Sequence, residues 1–220
     1  MSLSDTGIIE SFYSHADPEQ AVPMAAYMRN MFSFLGIPKP GRTALAKDFL
    51  KSVRKATSID WDFVDNCWER EREFQYLALN YLLTVQGLLT AEDVPKLRDL
   101  TLRKSWWDTV DSIDSLIGII VLKDPSVKDT MREWSTDDSI WLRRISIDHQ
   151  LMYKDQTDTA LLEEVITNNL NHKEFFINKA IGWSLREYSK TNPDWVRSFL
   201  TKYKEGLVPL SIREASKYLS

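Results

Sequence analysis

WWDTVDSIDSLIGI (106–119), IWLRRISIDHQL (140–151) and EFFINKAIGWSL (174–185), with EFQYLALNYLL (73–83) ahead of them, are four versions of one pattern. Each opens on an aromatic side chain and continues with apolar residues three and four apart. That spacing lays one apolar stripe along an α-helix. Aligned on Phe74, Trp107, Trp141 and Phe176, the segments recur at intervals of about 33, 34 and 35 residues. Each is preceded by another helical stretch and a short polar turn, so the repeating unit is a pair of helices. Such a pair cannot bury its own apolar faces. Pairs therefore stack, and the stack curves around a concave groove. The expected fold is all-α: an α-α superhelix of antiparallel helix pairs, forming one domain over residues 1–220.

Working outward, helical periodicity predicts helices over 17–34, 42–56, 60–67, 71–88, 91–102, 106–122, 127–134, 140–153, 158–169, 174–191, 193–203 and 211–219. Gly36 is expected to close the first of them, with Pro38 and Pro40 forming a stiff link. Only 7 Gly and 8 Pro occur in 220 residues, which suits long uninterrupted helices. No alternating strand pattern is present. No apolar run approaches the roughly 18 residues that cross a bilayer, and the first residues do not read as a signal peptide. Cys67 is the single cysteine, so no internal disulfide is available. A cytoplasmic monomer is expected.

The formal net charge is -4, which speaks against a nucleic-acid partner, because such domains usually carry excess Lys and Arg. The charge is unevenly spread, however. Arg29, Lys39, Arg42, Lys47, Lys51, Arg54 and Lys55 face the single acid Asp48 between positions 29 and 55, whereas Asp155, Asp158, Glu163 and Glu164 gather elsewhere. A basic end with an acidic back fits a polyanion partner. It also fits a solvated helix face.

Motifs narrow the chemistry. His15, His149 and His172 lack the spacing of a zinc ligand set. No GxxxxGK[ST] or GxGxxG loop is present to hold phosphates, and no cofactor or metal is expected. In the aligned repeats Trp107, Asp111, Arg144 and Trp183 fall at offsets that share one helical face, at roughly 100° per residue. Two indoles, a carboxylate and a guanidinium suit a ligand that is cationic and attached to phosphate. Taken singly, each has a plainer reading. The tryptophans fit a core, Asp111 a surface pair or cap, and Arg144 beside Arg143 a solvated charge run.

KSWWDTVDSID (104–114), IWLRR (140–144) and KEFFINKAIGWSLREYSKTNPDWV (173–196) resemble the AlkD-like DNA alkylation repair proteins. So do AAYMRNMFSFLGI (25–37), EREFQYLAL (71–79) and PLSIREASKYL (209–219). The resemblance implies a HEAT-like solenoid that removes cationic N3- and N7-alkylated purines from double-stranded DNA, without flipping the base. It implies Asp111, Trp107 and Trp183 as catalytic residues and Arg144 as a phosphate contact. Lys51 and Arg54 are expected to add phosphate contacts from the basic end. The rival readings are a non-catalytic DNA-binding module and a protein-interaction scaffold of the same fold.

Overall fold

The computed structural model describes residues 7–219. They form α-helices joined by turns and short 3-10 segments, with no strand among the described residues. The all-α expectation holds. Its cause is the apolar spacing together with side chains that start the helices. Asp17, Asp60, Asp158 and Asn192 each accept a hydrogen bond from a backbone N–H in the first turn of the helix that follows. The chain divides between Leu89 and Thr90 into two compact units. No helix among the described residues is long and apolar enough to cross a membrane.

The first unit holds α1 (Ile8–Ser14), α2 (Pro18–Tyr27), α3 (Lys39–Val53), α4 (Trp61–Trp68) and α5 (Arg72–Thr84). Two details differ from the periodicity. Helix α1 is additional. Helix α2 starts where Asp17 predicts but stops at Tyr27, well before Gly36, because Arg29 and Asn30 adopt left-handed backbone angles. The segment beyond is held by a buried carboxylate: Glu73 on α5 accepts from the backbone N–H groups of Leu35, Gly36 and Ile37. Phe49, Phe63 and Tyr81 pack edge and face between α3, α4 and α5, with centroids of successive rings 5.2 and 5.4 Å apart.

The second unit holds α6 (Val94–Leu102), α7 (Trp107–Lys123), α8 (Lys128–Trp134), α9 (Ile140–Asp148), α10 (Thr159–Thr167), α11 (Phe175–Ser189), α12 (Pro193–Lys202) and α13 (Pro209–Ala215). The repeat is visible in its packing: α7 lies on α9, α9 on α11, and α11 on α13. The apolar stripes of α9, α10, α11 and α12 meet in a core that includes Ile147, Leu161, Val165, Ile177, Ile181, Leu185, Val196 and Phe199. Each such side chain contributes roughly 1.5–3 kcal/mol on burial.

Helix α9 is shorter than its pattern, ending at Asp148 rather than Tyr153. A tertiary contact overrides the local preference. The backbone of α7 passes so close that a Cβ on Gly118 would lie 2.3 Å from the His149 carbonyl oxygen, and the Tyr153 hydroxyl donates to the Gly118 carbonyl. The chain turns out of the helix to make these contacts. Gly182 serves α11 and α13 in the same way, where a Cβ would lie 2.6 Å from that of Glu214.

Candidate functional site

The aromatic residues that open the second helices set the geometry. Trp106, Trp141 and Phe176 form a three-ring cluster, with centroids 5.7, 5.2 and 5.1 Å apart. The repeat is therefore in register on Trp106, the residue before α7, and not on Trp107. The spacing becomes 35 residues at both steps. Trp106 goes into the cluster, so Trp107 is turned away from it and stands half-buried at the first position of α7. Asp111 follows one turn later on the same face. The four residues do not share one arc in the corrected register. Three of them, Asp111, Arg144 and Trp183, come together across the facing helices α7, α9 and α11.

Arg144 is the centre of that convergence. Its side chain is 2% exposed, against 23% for Asp111. Its Nε donates to Asp111 Oδ1 at 2.8 Å and its Nη1 to the Phe176 carbonyl at 2.7 Å. Its Nη2 lies 3.5 Å from Asp148 Oδ2. Arg144 is thus no part of a solvated charge run but a buried cation joining α7, α9 and α11. The Trp183 ring completes the group, with the Arg144 guanidinium carbon 5.3 Å from its centroid.

The electrostatics are lopsided. Asp111, Asp114 and Asp148 surround one arginine. Burial raises the Asp111 carboxyl above its ordinary range, and the Arg144 hydrogen bond and charge pull against that rise. Asp114 is raised well above its ordinary value by burial and by the charges of Asp148 and Asp111. Asp148 is likewise pushed up by burial, with Arg144 opposing. Asp111 is the member of the trio with appreciable exposure, and its second carboxylate oxygen has no partner among the described residues. No cluster of His, Cys, Asp and Glu among the described residues is arranged to hold a metal ion.

Sequence reasoning missed Asp114, Asp148, Lys179 and Arg186. The last two stand over the Trp183 ring at 5.5 and 5.8 Å, and Glu214 on α13 pairs with both, at 2.9 and 3.4 Å. Their positions four before and three after Trp183 were a legible helical signal. The acids carried none, because Asp114 and Asp148 look like surface residues until their burial is known. Lys51 and Arg54 lie in the other unit, exposed at the end of α3. Among the described residues they make no ion pair, and neither do Lys47 and Lys55.

The DNA alkylation repair enzyme family model matches residues 8–219 of the chain, which includes the whole Asp111–Arg144–Trp183 group. This protein belongs to the DNA alkylation repair enzyme family. Among solved structures, it is similar to a predicted DNA alkylation repair enzyme from Enterococcus faecalis, with 37% sequence identity and a TM-score of 0.85 over 93% of this chain and 97% of the other. A comparison with curated protein sequences finds no match. Membership gives a DNA repair role and DNA as the substrate. The matched stretch includes both the buried arginine and its partly exposed carboxylate.

Proposed function

We propose that this family member is a monofunctional glycosylase that hydrolyses the N-glycosidic bond of N3- and N7-alkylated purines in duplex DNA. The observation that carries the reading is Asp111, held through one oxygen by a buried arginine that itself lies against the Trp183 ring, with its other oxygen without a hydrogen-bond partner among the described residues. An alkylated purine already bears a positive charge, so its departure needs no general acid. The C1′–N bond breaks with its electron pair going to the purine nitrogen, which becomes neutral. The sugar left behind is oxocarbenium-like. Asp111 stabilises that charge across a partly desolvated gap. A water oxygen then bonds to C1′ and gives its proton to Asp111 or to solvent. Trp107 and Trp183 supply aromatic faces that favour the same cationic sugar.

Arg144 serves first to fix Asp111, since its Nε and Nη1 are committed within the protein. Its Nη2 faces the fully buried Asp148 and its side chain is 2% exposed, so it offers no open edge for the phosphate contact that the sequence resemblance implied. The direct test is mass detection of free 7-methylguanine after incubation with duplex DNA carrying that lesion. Release above the spontaneous rate supports the proposal. DNA binding without release leaves the protein a damage-binding module.

Binding has its own test. Lys51 and Arg54 are exposed and unpaired, so they are suited to phosphate contacts that release counterions. Reversing both to Glu should weaken binding to damaged and undamaged duplex alike. It should lower the slope of log affinity against log salt by about 2, since each lost phosphate contact accounts for roughly 0.9. A titration series from low to moderate salt measures this. An unchanged slope removes α3 from the DNA surface.

A further inference from the structure

Asp148 has an unusual position for a carboxylate. Its side chain has 0% exposure, it is the last residue of α9, and neither of its oxygens has a hydrogen-bond partner among the described residues. The C-terminal end of a helix carries partial negative charge, which disfavours an anion there. Its one favourable contact is the 3.5 Å approach to Arg144 Nη2. Asp114 stands in similar straits on α7: Oδ1 accepts from the Ser115 hydroxyl at 3.0 Å, and Oδ2 has no partner. Three carboxylates around one guanidinium cannot all ionise in a buried space.

The other charges near α9 are already committed. On α6, Arg103 pairs with Asp99 and Arg98 with Asp137. On α8 and α10, Lys128 pairs with Asp158, Arg132 with Glu164, and Glu163 with Lys202. From α11, Lys179 and Arg186 stand over the Trp183 ring and pair with Glu214. His149, next in the chain, is held neutral by burial, which pushes its pKa down to about 4. The groups that act on Asp148 are therefore Arg144 and Asp111, and Asp148 in turn pushes Asp114 up.

We propose that Asp148 is a positioning residue that competes with Asp111 for Arg144, so that its protonation sets how much negative charge Asp111 presents to the substrate. When Asp148 is protonated, the guanidinium charge falls on Asp111 alone and offsets it. When Asp148 is ionised, Arg144 is shared and Asp111 keeps more of its own charge. Charge on Asp111 is what stabilises the oxocarbenium-like sugar, so excision is faster with Asp148 ionised. The inference rests on the glycosylase reading for its kinetic consequence. The coupling between the two carboxylates does not depend on it.

Burial raises the Asp148 pKa to about 7. One proton lost there takes the ionised fraction from about a tenth at pH 6 to about nine tenths at pH 8, so single-turnover excision of 7-methylguanine should rise about tenfold over that range. Asp148→Asn should be flat across it relative to the native protein and at least about tenfold slower at pH 8. Taking the ratio of the two rates at each pH cancels any titration of the lesion itself. Carboxyl carbon NMR provides a readout without substrate: the Asp111 signal should show a second inflection near pH 7 that vanishes in Asp148→Asn. A native pH slope retained in Asp148→Asn, or a single Asp111 inflection, overturns the proposal. If the native protein releases no lesion at any pH, the glycosylase reading fails, and the NMR titration alone decides the coupling.

Discussion

Asp111→Asn should keep the fold and most of the DNA affinity while losing about a hundredfold or more in excision rate. The amide is the same size and still accepts from Arg144 Nε, so the 2.8 Å contact has a replacement. What disappears is the full negative charge facing the sugar. In a partly desolvated site, removing one such electrostatic contact costs about 3 kcal/mol of transition-state stabilisation, or roughly a hundredfold. Single-turnover kinetics at saturating protein isolate the chemical step, and thermal melting checks the fold. Excision at the native rate would show that another group stabilises the cation, and the Asp111 assignment would fall even though the family membership stands.

The second large effect is on stability. Arg144→Met fills much of the same space but removes the one cation among Asp111, Asp114 and Asp148. Taking one partner from a buried ion pair usually costs about 3–5 kcal/mol, because the remaining charge is left uncompensated. The loss should depend on pH, with a definite sign. Asp114 and Asp148 already have raised pKa values in the folded protein, and without Arg144 they rise further. A carboxyl whose folded pKa lies above its unfolded value binds more protons when folded. Stability then falls as pH rises from the unfolded value, near 4, to the folded one. The variant should therefore be closest to native stability near pH 5 and furthest from it near pH 8. Urea unfolding at both values measures the difference, and an equal loss at both would mean that packing, not charge, is what Arg144 supplies.

Much of this architecture could be read from the sequence because its cause is local. The apolar spacing of α7, α9 and α11, and residues such as Asp17 and Asn192 at helix starts, act within a few positions of themselves. The errors share a different cause. Helix α9 ends early because of the backbone of α7, some 30 positions earlier in the chain, and no window around Asp148 contains Gly118. The register slipped by one because the pair Trp106–Trp107 offers two indoles, and only packing against Trp141 and Phe176 decides between them. At the site, Asp111, Arg144 and Trp183 were visible as a constellation, yet their arrangement was not. Spacing gave Arg144 the look of an outward-facing cation, whereas burial makes it the fixed point on which Asp111 depends. The acids that balance it could not be singled out among 32 Asp and Glu residues without knowing which are covered.

The three-ring cluster has one more effect. By drawing Trp106, Trp141 and Phe176 together, it gathers the starting ends of α7, α9 and α11. None of these three helices has a side-chain cap, in contrast to the Asp158 and Asn192 caps of α10 and α12. Each helix start carries roughly half a unit of positive charge from its aligned peptide dipoles. A protein with four more acids than bases thus concentrates positive potential in its main chain, beside Asp111, where no tally of Lys and Arg records it. That part of the field has no proton to lose, and replacing surface lysines and arginines would leave it in place.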